Sequence, residues 1–248
     1  MRELFTMWRD TRMVVLTSVL AALHAAAVIP FKPIQILPGV TDLRPGMALP
    51  IVFSLLFGPP AAWGAAIGNT ISDLFGTLGP GTLFGFLGNL LYGYVPWRVW
   101  TAWRRGPARL GTPVDWGVFL LGLAGASGAC ALTIGWGVHM LNLYPFASTA
   151  GIILMHNLTV GLILSPPLLA ALRHRVARLN MLMEEPEEGN RFAAARLSRK
   201  ASSLFFVAAC GAGLAAGYAS GASGASDAAI TGAVTPFVAA VLLAAVLL

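Results

Sequence analysis

The chain has 248 residues, of which 57% are hydrophobic and 10% charged, with 16 Lys and Arg against 10 Asp and Glu. A soluble domain carries about 25% charged residues, so this composition and a mean hydropathy of +0.76 exclude that class and indicate a polytopic membrane protein. The net charge of +6 is not a nucleic-acid footprint, because no Lys/Arg run is interleaved with aromatics and the charges stand where membrane topology places them.

Met1 to Arg12 is a short amphipathic lead with Arg2, Arg9 and Arg12, and a first span runs from about Met13 to Ile29. Positive charge ahead of a span holds the N-terminus in the cytoplasm. A signal peptide is the alternative, since Ala25-Ala26-Ala27 follows an apolar run; Glu3, Asp10 and the length of the polar lead count against it. Ala21, Ala22, Ala25 and Ala26 make two small-xxx-small pairs, a smooth stripe open either to a partner helix or to internal packing. Pro30 to Gly46 is rich in helix breakers and reads as a structured loop or re-entrant cap, carrying Lys32, Gln35, Asp42 and Arg44.

Two pinched membrane helices come next. Met47 to Phe57 is apolar but, at about 1.5 Å per residue, covers only roughly half of a ~30 Å hydrocarbon core, so its ends must lie inside protein. Gly58-Pro59-Pro60 breaks it, and Ala61 to Phe75 returns with small residues at Ala62, Ala65 and Gly68. Asn69 and Asp73 lie one turn apart on one face of that helix, and an intramembrane carboxylate is a functional-site candidate because it is costly without a partner.

A fourth span from about Leu83 to Trp100 holds Asn89, Tyr92 and Tyr94 and is followed by Arg104, Arg105 and Arg109. A fifth, Trp116 to Met140, ends in His139, Asn142 and Tyr144; a sixth, Ser148 to Leu172, carries His156 and Asn157 and leads into Arg173, His174, Arg175 and Arg178. With the N-terminus inside, these arginine clusters all fall on the cytoplasmic side and only Lys32 and Arg44 fall outside. Residues 1–178 therefore read as a six-span core, 179–203 as a charged cytoplasmic linker with Glu184, Glu185, Glu187 and Glu188, and 204–248 as a C-terminal transmembrane hairpin. Cys130 and Cys210 lie in apolar stretches without metal-ligand spacing and read as packing residues.

The capped loop after span one, followed by LRPGMALPIVFSLLFGPPAAWGAAIGNTISDLFGTLGPGTLFGFLGNLLYGY, resembles the substrate-binding S components of energy-coupling-factor (ECF) vitamin transporters across roughly residues 10 to 178. The resemblance implies an all-α membrane bundle whose alanine stripe (Ala21, Ala22, Ala25, Ala26) docks onto a transmembrane coupling protein with an ATPase pair, and whose loop after helix one lids an outward-facing pocket. Among such proteins the Arg44 to Asn69 segment looks most like members for queuosine precursors, with biotin and other vitamin types next. The last two spans depart from the six-helix pattern. Nickel and cobalt members begin with a Met-His pair, whereas this chain begins Met1-Arg2, so no metal is expected. No nucleotide-binding P-loop is present, so the chain has no cofactor of its own and any ATP is used by partner subunits.

The expected function is capture of a small organic micronutrient at the plasma membrane without covalent chemistry. The pocket would set aromatic walls (Trp63, Phe84, Tyr92, Trp136, Tyr144) around hydrogen-bonding groups Arg44, Asn69, Asp73, Asn89, His139 and His156. The alternatives are a structural membrane protein and an intramembrane serine protease, for which Gly125-Ala126-Ser127-Gly128 matches the GxSG turn of rhomboid proteases and His139 or His156 would be the base.

Overall fold

The computed structural model describes residues 2–37, 41–182 and 193–248; the loop tip at 38–40 and the acidic run from Glu184 to Glu188 lie outside them. Helix boundaries follow from caps and breakers in the sequence. A short α1 (Arg2–Thr6) leads to α2 (Thr11–Val28), opened by Asp10, whose carboxylate accepts from the Arg12 N–H at 2.9 Å. α3 (Ala48–Phe57) stops at Gly58, where φ is +64°, a conformation that a side chain would strain. Pro59 then takes the first position of α4 (Pro59–Asp73), where no N–H is needed. The reversal expected at Gly58-Pro59-Pro60 is present, but the prolines open the returning helix rather than standing before it.

Beyond α4 come α5 (Thr82–Trp103), α6 (Pro113–Met140), α7 (Phe146–Arg178), α8 (Ala193–Ala222) and α9 (Asp227–Leu247). α6 starts on a capping box in which the Thr112 hydroxyl accepts from the Asp115 N–H and the Asp115 carboxylate accepts from the Thr112 N–H. α2, α6, α7, α8 and α9 each contain a stretch long and apolar enough to cross a membrane. α5 has the length, but Asn89, Tyr92, Tyr94 and Arg98, all buried, lower its hydropathy. The short α3 and the start of α4 are enclosed, every residue from Ile51 to Ala62 being buried. A half-length helix is tolerated at membrane depth where protein, not lipid, meets its end, as at the α3–α4 reversal.

Glycines set the closest approaches. A Cβ on Gly64 would lie 2.8 Å from Leu20 Cβ, and one on Gly68 would lie 2.7 Å from the Ala21 carbonyl, so α4 lies hard against α2. This divides the alanine stripe: Ala21 and Ala25 are buried against α4, while Ala22 and Ala26 are exposed. The Gly125-Ala126-Ser127-Gly128 stretch is likewise a seam, here between α6 and α8. A Cβ on Gly125 would come 3.0 Å from Val207 and one on Gly128 3.0 Å from Cys210 Cβ, with Ser127 fully buried in mid-helix. Pro96 interrupts the α5 ladder, and the next N–H, of Trp97, donates to Ser54 Oγ of α3 at 3.0 Å.

The charged segments flanking the last hairpin are partly helical. α8 begins at Ala193, inside the segment expected to be linker, because the Ala-, Leu- and Arg-rich run before Ser203 propagates helix out of the apolar zone. α7 runs through Arg173, His174 and Arg175 to Arg178, where the six-span core was expected to end. The charged ends then meet: the Arg12 guanidinium donates to the Asn180 carbonyl, and Arg98 pairs with Glu3 at 3.1 Å and donates to the Leu248 carbonyl. The start of α2 and the ends of α5, α7 and α9 thus share one end of the bundle, and the loop after α2 caps the other.

Candidate functional site

That cap, the expected lid, carries a small amount of strand. After a 3-10 turn at Ile29–Phe31, β1 (Gln35–Leu37) pairs antiparallel with β2 (Thr41–Asp42), Gln35 lying opposite Asp42. The hairpin turns Lys32, Asp42 and Arg44 toward the end of α4. Lys32 is 4% exposed; its ammonium stands 3.1 Å from both Asp42 Oδ2 and Asp73 Oδ1 and donates to Thr77 Oγ1 at 2.6 Å. Thr77 in turn donates to Asp73 Oδ1 at 2.9 Å.

Arg44 completes the network. Its guanidinium bonds the Asp42 carboxylate, donates to Asn69 Oδ1 at 2.6 Å and stands 3.7 Å from Asp73 Oδ1, while Asn69 Nδ2 donates to Asp73 Oδ2 at 3.2 Å. Asn69, Asp73 and Thr77 repeat every four residues, so one edge of α4 and the turn after it present all three groups to the lid. Two cations therefore face two carboxylates away from water, which offsets the desolvation that either sign would suffer alone. The sequence reading that Asp73 needs a partner is answered by Lys32 first and Arg44 second.

Arg44 also joins the lid to the space beneath. Its backbone N–H donates to His156 Nε2 of α7 at 3.1 Å. Next to that contact is a cavity of about 30 Å³, lined by Arg44, Asn89, Cys130, Ile153, His156 and Asn157 among others. A space of that size holds about one water molecule, so anything larger would fit only if the cap or the side chains moved. Two buried amide atoms there have no hydrogen-bond partner: Asn89 Oδ1, whose Nδ2 donates to Gly85 O at 2.8 Å, and Asn157 Nδ2. They offer one acceptor and one donor, and burial makes leaving them unpaired costly.

Arg44, Asn69, Asp73, Asn89 and His156 thus come together as one cluster. Tyr92 lies beneath it, fully buried, its hydroxyl 3.4 Å from the Asn157 carbonyl. His139 is elsewhere, at the junction of α6 and α9, with Nε2 3.8 Å from Asp227 Oδ1. The expected aromatic walls also disperse. Trp63 donates to the Leu4 carbonyl and packs edge-on against Trp8, and Phe84 packs edge-on against Trp136, which donates to Thr235 of α9. Tyr144 sits in the loop after α6. Lys32, Asp42 and Asn157 were visible in the sequence but not placed among the pocket groups, and Thr77 was not singled out, although its four-residue spacing from Asp73 is a signal that could have found it. Among the described residues no three His, Cys, Asp or Glu side chains come together to hold a metal ion.

A family model described as QueT transporter matches residues 14–174, from the first turn of α2 to the last turns of α7, and ends short of α8 and α9. No curated protein and no solved structure matches the chain.

Proposed function

The chain belongs to the QueT transporter family and is a multi-pass membrane S component; from that premise we propose that it captures a nucleobase-like micronutrient of the queuosine-precursor type from outside and hands it inward with an ECF coupling protein and ATPase pair. The observation that carries the site is the unpaired acceptor and donor of Asn89 and Asn157 beside His156, under a lid held by Arg44. A planar heterocycle with adjacent donor and acceptor atoms would pair both amides, and the lid network would have to open to admit it. Asp73 acts here by holding the lid through Lys32 and Arg44. The arginine end faces the cytoplasm, in keeping with the positive-inside bias. A reporter fused after Arg105 should then be cytoplasmic and one inserted near Gly79 external; the reverse would place the lid on the wrong side.

Mass spectrometry of small molecules retained by the purified protein tests the substrate. Calorimetry with the retained compound should show Asn89→Ala and Asn157→Ala each weakening binding by about five- to 150-fold, since an unpaired buried group costs about 1–3 kcal/mol. Unchanged affinity in both would move the site elsewhere. For docking, the exposed pair Ala22 and Ala26 is the surface we assign. Ala22→Leu or Ala26→Leu should abolish copurification with the coupling subunits while leaving folding and ligand binding intact.

A further inference from the structure

A second, open cavity lies away from the lid. It measures about 440 Å³, opens at the arginine end between the close of α5 and the start of α8, and is lined by Trp103, Arg104, Arg105 and Lys200. Its walls are held from behind. Trp103 Nε1 donates to Ser203 Oγ at 2.9 Å, Ser203 donates to the Lys200 carbonyl at 2.7 Å, and the Lys200 ammonium sits 5.1 Å from the centroid of the Trp103 ring. Trp100 Nε1 donates to the Gly106 carbonyl at 3.1 Å, which pins the turn carrying Arg104 and Arg105. Arg104 is neutralised by Asp115 at 2.6 Å, a carboxylate already fixed by the α6 capping box. Arg105 and Lys200 have no carboxylate partner among the described residues.

Among the described residues these two cations face one opening without a carboxylate, an arrangement that suits an anion. The surroundings say how it is presented: Leu204 and Phe205, one turn beyond Lys200 on α8, are 49% and 56% exposed, and Trp116 on α6 is 39% exposed. An apolar lipid-facing surface thus begins beside the basic cavity, at the depth where exposed tryptophans mark the headgroup layer. We propose that this cavity binds the phosphate group of an acidic lipid, with the headgroup on Arg105 and Lys200 and the acyl chains along Leu204 and Phe205. The lipid clasps α8 to α5, and so ties the C-terminal hairpin to the part of the chain that carries the lid.

The test uses the full chain in nanodiscs of phosphatidylcholine with and without phosphatidylglycerol, reading retained lipid by native mass spectrometry and melting temperature in parallel. The wild-type protein should retain phosphatidylglycerol over phosphatidylcholine and melt higher in its presence. Arg105→Gln with Lys200→Gln should lower that retention about 25- to 30-fold, at about fivefold per basic side chain, and remove the thermal gain. Arg105→Lys should keep most of both. Equal retention of the two lipids by the wild-type protein, or a double variant indistinguishable from it, would overturn the assignment. If inorganic phosphate in detergent raises the wild-type melting temperature and no lipid preference is seen, the lipid source is overturned in favour of a free phosphate.

Discussion

The two ends of the bundle both carry charge and use it oppositely. At the lid end Lys32, Asp42, Arg44 and Asp73 are packed into one network of balanced sign, with Lys32 and Asp42 at 4% and 1% exposure. At the other end Arg9, Arg12 and Arg109 are exposed, and their positive charge is open to solvent. The same residue types therefore carry different energies. A buried ion depends on its partner and becomes a liability when that partner goes, whereas an exposed arginine orients the chain and adds little to folding.

The largest effect should come from breaking the balanced end. Lys32→Met leaves Asp42 and Asp73 buried with Arg44 alone, and losing one partner of a buried ion pair costs about 3–5 kcal/mol. Thermal unfolding of the purified protein should fall by on the order of 10 °C. Adding Asp73→Asn to Lys32→Met should recover a large part of the loss, since the unpaired charge is then gone. A double variant as unstable as the sum of the singles would show that the pair contributes packing and not charge balance.

Much of the balanced end was legible because it rests on local rules. The Gly58-Pro59-Pro60 reversal follows from sterics, and the Asn69–Asp73 face from helical spacing. Lys32 was visible in the loop, but its contact with a residue 41 positions away depends on a lid hairpin whose β1–β2 register no proline-rich stretch reveals. The alanine stripe was legible as small residues and not as a division. Which pair turns inward is decided by Gly64 and Gly68 on a neighbouring helix. His139, Trp63 and Trp136 went astray for a related reason: depth in the membrane is readable from the sequence, but the face of the helix is fixed by what packs there, and α9 and α1 claim those residues.

Arg98 sits at the arginine end yet is buried and partnered like the groups of the lid. It is 7% exposed, pairs with Glu3, donates to the Leu248 carbonyl and stacks 5.1 Å from the Trp97 ring centroid. If burial, not location, sets the energy, Arg98→Gln should cost about 1–3 kcal/mol, between the two extremes. A loss as small as that of an exposed arginine would mean that water reaches this guanidinium and that the contrast between the ends is one of position after all.

The smallest effect is expected at Arg109. It is exposed in the loop between α5 and α6, outside the basic cavity. Surface substitutions of this kind change stability by less than about 0.5 kcal/mol, so Arg109→Gln should leave the melting temperature of the detergent-purified protein within about 2 °C of wild type. Its contribution belongs to insertion instead, as one of several positive charges that hold the loop on its side of the membrane. Removing Arg104, Arg105 and Arg109 together should therefore raise the fraction of chains in which a reporter placed in this loop is found outside, while correctly inserted molecules with Arg109→Gln alone melt normally. A melting loss in that single variant comparable with Lys32→Met would show that the exposed end is folded by its charges as the lid is, and the distinction between the two ends would fail.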